Sequence, residues 1–188
     1  ALIDVLAAHQ IKEGILIALL KREKTGKGCH IKTTLEETAI ASLMNQSSNY
    51  LMAEHNPKKL GTLHPNIAPY GDIINSMDGT KLILAIGTDK QFVSFCELIK
   101  LNVNIDFNTN QKRVTKREEL MKIINDKTSV LKSSWLLENC HNRKIPIGKI
   151  KTVGEVMQER IAQQMILEEM VDGFPTKRIK TNSFELLN

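Results

Sequence analysis

Two stretches of this chain combine residue type and spacing in a way that could support chemistry. One is Asp4, in the opening ALIDVLAAHQIKEGI; the other is the loop GTLHPNIAPYG over residues 61–71. A carboxylate among apolar side chains can attack an activated carbonyl as a nucleophile. A glycine-containing loop with free N–H groups can stabilise the resulting oxyanion, or close over the adduct. Gly61 and His64 are the loop's candidates for that work. The competing reading of Asp4 is a helix-start aspartate that accepts backbone N–H bonds and complements the dipole. Such aspartates outnumber catalytic ones, and spacing alone leaves both readings open.

Other chemistries are poorly supported. KTGKGC (24–29) contains Gly-Lys, but a phosphate-binding loop needs G-x-x-x-x-G-K-[ST] between a strand and a helix, and here the glycines follow a helix. Ser47 and Ser48 sit inside a predicted helix with no nucleophile elbow. His9, His30, His55, His64 and His141 show no metal-type spacing. Cys29, Cys96 and Cys140 are odd in number and far apart, which suits buried thiols in a reducing compartment rather than disulfides. The basic run NQKRVTKREEL (110–120) reads as a solvated helix start rather than a phosphate-tracking surface.

Composition fits an ordinary globular protein of 188 residues, 41% hydrophobic and 25% charged. Aromatic residues make up only 4%, too few for base-stacking platforms. The net charge of +5 is spread thinly, so a small polyanion is a better expected partner than nucleic acid. The longest apolar run, ILIALL (15–20), is too short to span a bilayer. No secretory or transit segment is visible. A cytoplasmic protein with no membrane partner is expected, the mitochondrial matrix being the alternative.

The elements that must position these residues follow from periodicity. Leu6, Ile11, Ile15, Leu16, Leu19 and Leu20 have helical spacing for a buried face, and Gly26 and Gly28 end that helix. CHIKT (29–33) alternates like a short strand, and Thr34 with Glu37 opens a helix to about Ala53. Residues 54–69, with three prolines, read as a linker or ordered loop. YGDIINS and KLILAIG, joined through Asp78–Gly79, predict a hairpin. Thr88 with Gln91, Thr115 with Glu118 and Thr152 with Glu155 predict capping boxes. Residues 128–142 predict a helix anchored by Trp135 and Leu136, and Pro146 argues against a central strand at 144–150. The final segment alternates about a Gly-Phe-Pro turn like a hairpin. The expected domains are residues 1–53, a 54–69 linker, a compact α+β unit over 70–160, and a C-terminal hairpin over 161–188. The lone predicted strand of the first part cannot stand by itself, so the chain reads as a piece of a larger fold.

On these motifs the chain resembles the class III CoA-transferases, which include formyl-CoA transferase, carnitine-CoA transferase and the α-methylacyl-CoA racemases. Asp4, Thr25, Gly26 and Gly28 match an aspartate before a long helix ending in R-x-x-T-G-[KR]-G. Gly61, His64, Pro65, Pro69, Tyr70, Asp78, Gly79, Gln91 and Phe92 match G-x-x-H-P-x-I-x-P-Y … D-G … Q-F. IPIGKIKTVGEV resembles the stretch that ends the family's small domain, and AHQIKEGI looks nearest to the succinyl-CoA-dependent dicarboxylate branch.

The resemblance implies an α/β fold, the C-terminal portion of a family III CoA-transferase. Part of a Rossmann-like large domain would be followed by a small α+β domain. It implies CoA as a substrate with no other cofactor, an acyl-CoA donor, a carboxylic or dicarboxylic acid acceptor, and an interlocked homodimer. Asp4 would be the nucleophile: it attacks the acyl-CoA to give a mixed anhydride and CoA thiolate. The thiolate returns to form an aspartyl-CoA thioester, and the acceptor takes the CoA. Gly61 stands where some transferases carry a glycine-rich loop that shields the intermediate, with GTLHP here in place of a glycine run. The family half that precedes the aspartate supplies most CoA-nucleotide contacts, so this chain alone is expected to be catalytically silent. The racemase branch, in which Asp4 would be a proton-transfer group, carries a glutamate near Asp89. As the first residue of a capped helix, Asp89 itself reads as structural. A non-catalytic interaction module is the third expectation.

Overall fold

The computed structural model describes residues 1–185, so residues 186–188 of the expected C-terminal hairpin lie outside the described residues. The chain divides into two compact units, Ala1–Lys59 and the stretch from Leu60 onward, a division that falls inside the 54–69 segment.

The first unit is helical. α1 (Leu2–Thr25) stops at Gly26, whose left-handed backbone (φ 70°) lets its N–H return to Arg22 O at 2.8 Å. Gly14 brings α1 close to the following segment: a Cβ there would lie 3.1 Å from Ile31 Cγ2. The expected buried face of α1 is not buried. Its apolar side chains lie all round the helix, and Ile11, Ile15, Leu16, Leu19 and Leu20 are all exposed. Helical spacing marks a capacity for burial, and burial needs a surface to pack on. The expected strand at 29–33 is absent too, since the segment is irregular and no strand lies in this unit for it to pair with.

The single helix expected over 34–53 is two, α2 (Leu35–Ala41) and α3 (Asn45–Ala53). Between them Ser42 Oγ donates to Thr38 O at 2.7 Å and Met44 takes φ 53°, which breaks the helical path. Thr34 caps α2 by accepting from Glu37 N, but Glu37 answers to the Thr34 hydroxyl instead of its N–H, so only half of the capping box forms.

The second unit holds the core. β1 (Tyr70–Asn75), β2 (Lys81–Ala85) and β3 (Ile147–Lys149) form an antiparallel sheet in the order β1-β2-β3. β3 occupies an edge, in keeping with Pro146 just before it. Alternate residues of β2, Leu82 and Leu84, point inward beside Ile74 of β1. They pack with α4 (Asp89–Leu98), α6 (Arg117–Thr128) and α7 (Ser133–Asn142) through Phe92 and Phe95, Leu120 and Ile124, and Leu136 and Cys140. Each helical pair is three or four residues apart, so one face of each helix is buried. Burying each Leu, Ile or Phe side chain contributes about 2 kcal/mol.

α5 (Asn110–Thr115) precedes α6, and Thr109 caps it, not Thr115, whose hydroxyl donates to Gln111 O. The predicted Thr115–Glu118 box therefore does not exist, because the chain is already helical at Thr115. The helix expected over 128–142 is likewise divided between the end of α6 and α7, and Trp135 lies at the surface while Leu136 is buried.

The N-terminus of α7 is capped from outside the helix. Asp78, in the β1–β2 turn, accepts from Ser133 N at 2.9 Å and Ser133 Oγ at 2.6 Å. These bonds hold its carboxyl well below the usual carboxylate range. Thr88 caps α4 through Gln91 N, while Gln91 Oε1 accepts from Gly87 N; Thr152 and Glu155 form the complete box, on α8 (Val153–Met157). After α9 (Arg160–Met165), β4 (Ile166–Val171) and β5 (Phe174–Ile179) make an antiparallel hairpin. Its turn is Asp172–Gly173, both at positive φ, not Gly-Phe-Pro.

Candidate active site

Asp4 lies in the first turn of α1 with its carboxylate exposed. The helix has Ala1 at its N-cap with no side-chain cap bond, so Asp4 does not cap it. Among the described residues its carboxylate is paired with the Ala1 amino group alone, at 3.9 Å. Its position still suits a negative charge, because the first-turn N–H groups carry the positive end of the dipole. An exposed carboxylate without tight partners is open to attack an electrophile.

Gly61 and His64 belong to the second unit. Gly61 (φ 64°) makes a turn, and a Cβ there would meet no atom within 4 Å. The ring of His64 packs edge-on against Tyr70, with centroids 5.2 Å apart, and its Nδ1 accepts from Asn66 N at 3.1 Å. A neutral His64 with Nδ1 accepting carries its proton on Nε2.

The loop ends where Gly71 (φ 79°) runs against its own start, so that a Cβ on Gly71 would fall 1.8 Å from Thr62 O. No other residue fits there. Thr62 Oγ1 donates to Gly71 O at 2.7 Å, and the Ala68–Pro69 peptide is cis.

The groups that fix this loop come from the basic run that the sequence assigned to solvent. Arg113 is 2% exposed: its Nε donates to Ala68 O at 2.8 Å, its Nη2 meets Asp89 Oδ1 at 2.5 Å, and its guanidinium lies 4.3 Å from the Phe92 ring centroid. Arg117 Nη2 donates to His64 O at 2.8 Å and to Ile67 O. Asn110 accepts from Ala68 N at 3.1 Å and donates to Asn66 O at 2.7 Å. Asn110 and Arg113 lie three residues apart on α5, and Arg117, four residues on, opens α6. That spacing was the available signal, hidden by the expectation that charge faces water.

Asp72, 3% exposed, lies beneath the loop; it accepts from Tyr70 N at 2.8 Å and faces Arg117 Nε at 3.7 Å. Burial pushes its carboxyl above the ordinary value, against the pull of the Arg117 charge and the Tyr70 N–H. Asp89 is held by Arg113, as its structural reading expects.

All three cysteines are free. Cys96 and Cys140 are buried, and burial pushes their thiols up to about 12 and about 11; Cys29, against expectation, is exposed. Among the described residues no group of three or more His, Cys, Asp or Glu could hold a metal ion, and no helix is long and apolar enough to cross a membrane.

The chain is similar to known proteins along most of its length. The chain is 33% identical over 187 residues to the succinate–glutarate CoA-transferase of Agrobacterium fabrum, covering 96% of this chain and 46% of that protein. It is 31% identical over 163 residues to the human succinyl-CoA:glutarate CoA-transferase, covering 85% of this chain and 36% of that one. The crystal structure of a CaiB/BaiF family protein from Brucella suis aligns with a TM-score of 0.60 at 33% identity, over 91% of this chain and 45% of that one. The chain thus spans about half the length of the relatives it matches, or less. The family model for CoA-transferase family III matches residues 1–185, from before Asp4 to beyond the C-terminal hairpin, and with it the resemblance and the α/β fold class hold: the chain belongs to CoA-transferase family III.

Proposed function

We propose that the whole protein is a CoA-transferase that moves CoA from an acyl-CoA donor to a carboxylic acid, with a dicarboxylic acid as acceptor and Asp4 as nucleophile. The observation that carries this reading is the match to CoA-transferase family III over residues 1–185, which takes in Asp4. Relatives named for succinate and glutarate support the dicarboxylate class.

The chemistry suits a carboxylate. Asp4 attacks the thioester carbonyl, the C–S bond breaks, and CoA leaves as the thiolate. The thiolate attacks the aspartyl carbonyl of the mixed anhydride, releasing the donor's carboxylate and leaving an aspartyl-CoA thioester. The acceptor carboxylate repeats the two steps in reverse. Each step exchanges one acyl bond for another, so the energy of the thioester is conserved.

Asp89 would be the second proton-transfer group of a racemase, and its engagement with buried Arg113 disfavours that reading. Three free thiols suit a reducing cytoplasm, and the homodimer implied by the family is part of the same proposal.

The test is an intact mass of the whole protein after incubation with succinyl-CoA, wild type beside Asp4→Ala. A CoA-sized adduct on the wild type alone is expected. No adduct on a folded wild type would return Asp4 to a helix-start residue.

A further inference from the structure

We infer that Arg117, seconded by Asn110, is a positioning residue that sets the conformation of the loop carrying Gly61 and His64, and through it the rate of the CoA transfer proposed above, on which this inference rests. The loop between Gly61 and Pro69 has no helix or strand of its own to pair its backbone. Side chains of α5 and α6 do so instead. Arg117 takes the carbonyls of His64 and Ile67, Asn110 takes Asn66 O and Ala68 N, and Arg113 takes Ala68 O. Four residues of the 64–68 stretch, His64, Asn66, Ile67 and Ala68, are thereby gripped at the backbone by side chains 42 to 53 positions later in the chain.

The orientation of the Arg117 guanidinium separates this role from that of an ordinary buried ion pair. Asp72 lies next to it, and arginine beside a carboxylate normally forms two parallel short bonds. Here Nε stands 3.7 Å from Asp72 Oδ1, and it is a buried donor with no hydrogen-bond partner among the described residues. A buried unsatisfied donor is costly. Arg117 accepts that cost while spending Nη2 on two loop carbonyls, so the geometry serves the path of the loop before the pairing with Asp72. Because the grip is on backbone groups, it holds whatever side chains the loop carries, and it fixes where Gly61 and the His64 ring are presented.

Arg117→Lys keeps the positive charge opposite Asp72 and loses the planar fork; Asn110→Ala loosens the other end without changing charge. Leu120→Ala, a core change away from the loop, controls for lost stability. Each is made in the whole protein and assayed with succinyl-CoA and glutarate for kcat and KM, with amide hydrogen exchange over residues 61–69. Arg117→Lys and Asn110→Ala are expected to speed exchange in the loop. Arg117→Lys should lower kcat by about 100-fold, the cost of misplacing a group by roughly 1 Å, with KM changed little. Leu120→Ala should lower the melting temperature and spare kcat. Unchanged loop exchange overturns the inference, and so does faster exchange with kcat intact. A wild type that transfers no CoA sinks the transferase reading on its own account, while loop exchange still decides whether the clamp exists.

Discussion

The two units use apolar residues in opposite ways. The unit that begins at Leu60 closes Ile74, Leu82, Leu84, Phe92, Phe95, Leu120, Ile124 and Leu136 into one core. The first unit buries only Ala7 and Thr38, while Leu2, Ile15, Leu16, Ile17, Leu20, Leu51 and Met52 remain exposed. Apolar residues therefore do not by themselves make a unit self-sufficient. Two small buried side chains cannot offset the conformational entropy lost in ordering a unit of this size. The apolar side chains of α1 are spread round the helix among charged ones, and this unit offers them no surface to pack on. The strongest test of the contrast is to express residues 1–59 and 60–188 separately. The longer piece should melt cooperatively in calorimetry, and the shorter should show helix by circular dichroism without a cooperative transition. A cooperative transition in residues 1–59 would break the comparison.

Inside the second unit, Leu120→Ala should cost about 3 kcal/mol in chemical denaturation, since the fully buried leucine leaves a cavity that packed neighbours cannot refill. A smaller effect is expected at the cap supplied by Asp78. Its carboxyl is held below the ordinary range, so the stability it contributes is complete above the unfolded carboxylate value near pH 4 and fades as pH falls through the lower folded value. Asp78→Ala should therefore melt earlier than wild type at pH 7, with the gap narrowing in acid. A gap that widens on acidification would mean that the Ser133 bonds are not what the residue contributes.

What could be read from the sequence divides along a related line. Features set by neighbours in the chain were legible: the Asp78–Gly79 hairpin, the Thr88 cap, the Thr152–Glu155 box and the C-terminal hairpin all depend on residues within a few positions. CHIKT alternates as a strand should, yet a strand exists only where a partner lies alongside it. Thr115 and Glu118 have the right spacing for a cap, but Thr109 had already opened the helix upstream. The candidate loop was visible as a motif, whereas the residues that shape it were not. Arg113 and Arg117 look solvated until Ala68, Asp89 and Asp72 are brought to them. Asp4 was legible as a candidate because its type and position are local; what it does is a matter of chemistry that local pattern cannot supply.

The smallest predicted effect is also the one that most sharpens the contrast between the units. Leu16 is 56% exposed in α1, so replacing it with alanine removes little buried area, and alanine is the better helix former. In this chain by itself, Leu16→Ala should change stability by no more than about 0.5 kcal/mol, the usual range for a surface position. The same substitution in the whole protein reads the environment of α1 directly. If the helix remains exposed there, the effect stays equally small. If it rises to about 2 kcal/mol or more in denaturant titrations, as for leucines lost from a core, the outer face of α1 is covered in the whole protein. The apolar surface that sets the first unit apart would then be an interior surface, and the two units would differ in where their core is completed, not in whether they have one.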